Sequence, residues 1–277
     1  VDVDFVGIHD NDQLQSLAGL GNLSHVYHLG IAGNPKLRSL AGLGNLELVW
    51  AIHIVSNSLL KSLSGLDSVR ELDNGLVIAG NAALEHLVGL GSLNKVRTLT
   101  ICSNPLLASL HGLHTLQYVH HLGINDNKQL ESLQALAKVY VGQGFAPGLP
   151  SVFIWGCPSL RSLAGLESLR QLHALGIAGN LKLETLAVLR DLRIVSFCNI
   201  FGNPSLRSLQ GLDGLETVKE DFTLENNAAL ATLEGLGRLR RVRLFAVRVN
   251  PSLESLVGLS DLKHVFELVL KGLSNLR

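Results

Sequence analysis

Residues 29–49 read LGIAGNPKLRSLAGLGNLELV. The pattern returns as LTICSNPLLASLHGLHTLQYV at 99–119 and as CNIFGNPSLRSLQGLDGLETV at 198–218. The shared form is L-x-I-x-x-N-P-x-L-x-S-L-x-G-L-x-x-L-x-x-V. Coils of this form begin at Val6, Leu29, Ile52, Leu76, Leu99, Leu122, Val152, Leu175, Cys198, Phe222, Phe245 and Leu268, spaced 23 or 24 residues apart except for one step of 30. Position nine is Leu in each, and positions twelve and fifteen are Leu in every complete coil. One such coil cannot bury its own apolar face, but a stack of coils makes a continuous core.

Each column has a physical reason. L-x-I alternates with period two and reads as a short strand with two side chains inward. The later leucines and the closing Val fill the rest of the interior. The Asn column runs through Asn11, Asn34, Asn57, Asn81, Asn104, Asn127, Asn180, Asn203, Asn227 and Asn250, with Cys157 in the same place. An Asn just after a strand satisfies backbone groups at the turn, and stacked amides bond along the axis. Pro follows this column in five coils and stiffens the turn. Gly holds position fourteen in nine of eleven coils, which points to a bend needing unusual dihedrals or close packing. The fold expected is mainly β: a right-handed leucine-rich β-solenoid of about eleven 23-residue coils.

Bulk properties exclude several classes. Lys and Arg total 23, as do Asp and Glu, so no global field attracts nucleic acid or an anionic membrane. The one basic cluster, Arg238, Arg240, Arg241 and Arg243, reads as a solvated outer face. No run of eighteen apolar residues is present to span a bilayer. The three cysteines, Cys102, Cys157 and Cys198, are too few and too widely spaced for a disulfide framework or a zinc pattern. The chain has no Met and opens in mid-pattern, so residues 1–277 are expected to be one repeat domain cut from a longer chain.

The N-P-x-L-x-S-L-x-G-L-x-x-L runs, Asn34 to Leu46 and Asn203 to Leu215 for example, resemble those of the receptor L-domain group of leucine-rich β-solenoids. That group includes the ligand-binding lobes of insulin- and epidermal-growth-factor-type receptors. The resemblance covers nearly the whole chain. It implies binding or cell-wall roles and carries over no catalytic residue. The L-x-S-L segment, such as Ser39-Leu40, points to a second short strand in place of a long helix. The chain departs from receptor lobes in showing neither disulfide-bonded caps nor paired cysteines.

Outward positions beside each L-x-I pair are mostly small: Gly30 and Ala32, Val77 and Ala79, Gly123 and Asn125. Coils seven to nine differ. Phe153 and Trp155, then Phe197 and Phe201, flank Ala174, Gly176 and Ala178. The long coil beside them carries a Gly- and Pro-rich insertion near 141–150, with Phe145 and Leu149. Insertions into a solenoid fall on one face and often serve binding. Two readings follow: a binding cleft of Phe153, Trp155, Phe197, Phe201 and Phe145 over Gly176, or a loop that folds back and covers those rings. Exposed aromatic clusters mark interfaces.

Other candidates are weaker. His9, His28 and His53 lie outward on successive strands but diverge, as do the pairs His111/His114 and His120/His121, so no metal is expected. Asp221 and Glu225 share one outward strand near Arg248, Glu267 and Lys271, which reads as a salt-bridged solvent face, not an acid–base pair. No hydrolase, metalloprotease or phosphate-loop motif occurs. The expected function is a non-catalytic structural or protein-interaction module of a larger surface or extracellular assembly. The alternatives are a receptor-type ectodomain binding a carbohydrate or peptide and, remotely, a solenoid enzyme. No cofactor, nucleic acid or membrane span is expected. One glycosylation sequon, Asn22-Leu23-Ser24, favours the cell exterior, while three unpaired cysteines lean towards the cytoplasm.

Overall fold

The computed structural model describes residues 2–142 and 148–277. The chain divides into two compact units, Val1–Phe145 and Ala146–Arg277. In the first, β1 (Asp2–His9), β2 (His25–Ala32), β3 (Leu48–Val55), β4 (Glu71–Ala79), β5 (Lys95–Cys102) and β6 (Tyr118–Asn125) pair in chain order, all parallel. The two-residue β7 (Tyr140–Val141) pairs with β6. In the second, β8 (Ser151–Trp155), β9 (Gln171–Ala178), β10 (Ile194–Phe201), β11 (Thr217–Glu225), β12 (Arg241–Arg248) and β13 (His264–Lys271) do the same. Each unit is a leucine-rich parallel β-solenoid with one strand per coil, as the repeat predicts.

The core is the repeat's leucine columns. In the fourth coil Leu84, Leu87, Leu90 and Leu93 are fully buried, with Leu76 and Ile78 from the strand. The strand itself is longer than L-x-I. It begins at the closing Val of the coil before, so Val26, Leu29 and Ile31 all point inward from one eight-residue strand. Two consecutive residues, Tyr27 and His28, stand between the first two inward positions, and period-two alternation breaks there. The two 24-residue coils place their extra residue at this break. Register shifts fall between Leu72 and Gly75 in β4 and between Val218 and Asp221 in β11. Each is a bulge that keeps the inward columns in line.

Just after each strand the backbone turns through the left-handed region. The residue before each Asn has φ of 51–65°: Gly at Gly33, Gly80, Gly179 and Gly202, but Asp10, Ser56, Ser103, Asp126, Asn226 and Val249 elsewhere. This turn delivers the Asn side chain into the core, where Asn34 through Asn250 are fully buried. Asn104 is representative. Its Nδ2 donates to Ile78 O and Cys102 O, each at 3.0 Å. Its Oδ1 accepts from the backbone N–H of Asn81 at 3.1 Å. Asn57, Asn81, Asn180, Asn203 and Asn227 repeat the inter-coil bonds. Cys157 takes the same place, its N–H donating to Asn180 Oδ1 at 3.1 Å and its Sγ to Trp155 O at 3.6 Å.

The L-x-S-L segment differs from expectation. Among the described residues no second strand forms. The segment is extended, but it makes about one bond per coil, as from Glu131 N to Ala108 O, and a single isolated bridge, Ser109–Ser132. The glycine turn that follows is the reason. At Gly89 φ is +112°, and a Cβ would overlap the carbonyl of Leu63 in the preceding coil. The chain bends too sharply at position fourteen to extend a ladder. A 3-10 turn forms instead at Gln134–Leu136 and Ala187–Leu189, where Ala135 and Val188 replace that glycine, and also at Ala18–Leu20, where Gly19 keeps it.

Candidate functional site

Phe153, Trp155, Phe197 and Phe201 lie on the outer face of β8 to β10, within the second unit. Register sorts them into three rows: Ser151–Ala174–Phe197, Phe153–Gly176–Asn199 and Trp155–Ala178–Phe201. Neighbouring strands stand about 4.8 Å apart, so Trp155 and Phe201 are separated by two spacings, on the order of 10 Å.

Gly176 is not an open floor. A Cβ there would lie 2.7 Å from Phe153 Cδ1 and from Trp155 Nε1. The two rings meet edge to face at 5.2 Å and lean across β9, leaving Gly176 buried and Ala178 4% exposed. Small side chains on β9 therefore seat the rings of β8. Phe197 is half-buried and packs edge-on against His173 at 5.5 Å. What remains accessible is a pair: Trp155 at 41% and Phe201 at 43% exposure, either side of Ala178. The row continues into Glu225, Arg248 and Lys271, so the pair has a charged border. Phe145 lies outside the described residues.

The acidic residues of β11 are neutralised by neighbours. Asp221 contacts Arg243 Nη2, Glu220 Oε2 accepts from Arg243 Nε at 2.7 Å, and Glu225 meets Arg248 at 3.7 Å. The expected salt-bridged face exists, although Arg243, earlier assigned to the basic cluster, is its main cation. Among the described residues no three His, Cys, Asp or Glu side chains converge as metal ligands. Burial pushes the Cys198 thiol up, and burial with the Asp126 carboxylate does the same at Cys102. Neither thiol is poised as a nucleophile. Burial and the Arg97 charge lower the His120 pKa.

A second aromatic group, in the first unit, escaped the sequence reading. Tyr27 and Trp50 stack at 4.8 Å with planes 8° apart, and His28 meets both edge-on at 4.9 and 4.7 Å. Tyr27 and Trp50 line a groove of about 1020 Å³ with Asp2, Asp4, Glu47, Asp67, Glu71 and Asp73. Asp2, Asp4, Tyr27, Trp50, Glu71 and Asp73 occupy the first half of their strands, ahead of L-x-I, while Glu47 and Asp67 precede β3 and β4. The only available signal was the closing Val, which marks where the strand starts.

No protein-family profile matches the chain, and no curated protein does. Among solved structures the chain aligns with the crystal structure of a TLR13–ssRNA13 complex, at 16% identity and a TM-score of 0.33. That alignment covers 92% of this chain and 48% of the other, so the chain spans about half the length of that protein. Among the described residues no helix is long and apolar enough to cross a membrane.

Proposed function

We propose that the protein is a non-catalytic interaction module of a larger surface or extracellular assembly, and that Trp155 and Phe201 anchor a neighbouring protein subunit. One observation carries this reading: two large rings stand more than 40% exposed, on a face otherwise built of small side chains, with charged residues beside them. An apolar centre with a charged rim is the usual anatomy of a protein interface, and aromatic anchors dominate its energy. The ion pairs of Asp221, Glu220 and Glu225 support a non-catalytic role, because each carboxylate is engaged by an arginine. Asn22 of the sequon is exposed, which favours a secreted setting. Sedimentation of the chain over a concentration series, with and without Trp155→Ala and Phe201→Ala together, tests the reading. Association in the parent, lost in the double variant at unchanged melting temperature, is expected. A parent that stays monomeric throughout, or a variant that melts earlier yet associates as before, refutes it.

A further inference from the structure

The groove of the first unit is built on four adjacent strands, and register aligns its outer side chains in two rows. One is Asp2–His25–Leu48–Glu71. The other places Asp4, Tyr27, Trp50 and Asp73 at equivalent positions of β1 to β4, with Asp73 at the β4 bulge. The ring separation of Tyr27 and Trp50, 4.8 Å, equals the spacing between strands, so the rings stack along the axis of coil stacking. Each ring spends one face on the other. The remaining faces look outwards along the row, that of Tyr27 towards the coil of Asp4 and that of Trp50 towards the coil of Asp73. The edge-on contacts from His28 hold both rings in this attitude.

An aromatic face opposite a carboxylate is a seat for a cation. The ring quadrupole and the anion attract the same charge, and a planar guanidinium stacks as well. The rest of the lining has the same sign. Six carboxylates face the groove against Arg70 and His25, and His25 is bonded to Asp2. Lys95 draws on Glu71 and Asp73 from outside the groove at 3.9 and 3.7 Å, leaving Asp4, Glu47 and Asp67 without an ion pair among the described residues. Tyr27 remains 52% exposed and Leu48 63%, so the rings and an apolar contact are open to a ligand.

We infer that this groove binds a basic, extended peptide segment of a partner protein, with arginine or lysine side chains seated at Tyr27–Asp4 and at Trp50–Asp73. Three strand spacings, about 14 Å, separate the coils of Asp4 and Asp73. An extended chain advances about 3.3 Å per residue, so residues four apart stand about 13 Å apart and point the same way. The segment therefore carries its two cations at positions i and i+4 and crosses β1 to β4 roughly at right angles. The site is separate from Trp155 and Phe201 and does not depend on their role.

Fluorescence anisotropy of a labelled peptide of about nine residues tests this, with two arginines four positions apart among serines and threonines, added to the full chain. Binding that weakens as salt rises is expected, together with weaker binding of a peptide whose arginines are adjacent. Asp4→Asn with Asp73→Asn, at exposed positions that leave the packing intact, is expected to weaken binding roughly tenfold, and Trp50→Ala at least as much. No binding by the parent overturns the inference, as does equal binding by the Asp4→Asn, Asp73→Asn variant. A parent dimer that the same two substitutions dissociate also overturns it, since the occupant is then a second copy of this chain.

Discussion

Val249 occupies the left-handed position that other coils give to glycine or to a small polar residue, at φ 51°. A β-branched side chain is the least suited to that region, where an ordinary residue costs roughly 1–2 kcal/mol. The stacking of β12 on β13 holds it there, its N–H donating to Lys271 O at 2.8 Å. Asn226 shows that asparagine fits the same position one coil earlier. Val249→Asn is expected to stabilise the protein by about 1 kcal/mol in urea denaturation. A loss of stability would show that the exposed Val249 side chain contributes more through contact than the backbone gains by relief. The Asn of the adjoining column was legible in the sequence because it is nearly invariant. The left-handed residue before it was not, because five different residue types fill that place.

The element that defines this fold is the turn at position fourteen, where a glycine recurs because bend and close approach coincide. Gly89→Ala is expected to cost at least about 2 kcal/mol, because the methyl group meets the backbone carbonyl of Leu63 and cannot move aside. Gly44→Ala, at a glycine with nothing within 4 Å, is expected to be close to neutral. Equal melting temperatures for the two variants would refute this account. Ala135 and Val188 show the escape route, a 3-10 turn. The strand illustrates the limit of reading by periodicity. Alternation located L-x-I, but the outward pair Tyr27-His28 breaks it, so the first half of the strand, where the acidic groove lies, carried no strand signal.

Within each unit the coils are coupled chiefly to their neighbours, through leucine stacking and the asparagine column. Asn104→Ala removes two donated bonds and leaves the buried N–H of Asn81 without its acceptor. It is expected to cost about 3 kcal/mol, and to raise amide exchange most in β4 to β6. Uniformly faster exchange across β1 to β6 would instead show that the first unit opens as a whole. Charge is also distributed on this scale. The early strand positions carry Asp2, Asp4, Glu71 and Asp73 in the first unit, whereas in the second Lys219, Arg241 and Arg243 stand there beside Glu220 and Asp221. A net charge of zero conceals this difference.

The coil length, the inward columns and the buried asparagines follow from the chain alone, because each is a demand that every coil repeats at the same offset. The aromatic candidates of coils seven to nine were legible for the same reason, as departures from a regular outward pattern. Contacts between coils decided the rest. Phe153 and Trp155 cover Gly176 because a strand 4.8 Å away offers no side chain to stop them. Tyr27 meets Trp50, and both share a row with Asp4 and Asp73, only because parallel register sets residues 23 positions apart side by side. That adjacency depends on where each strand begins and how its bulge falls, which only the stacked coils fix.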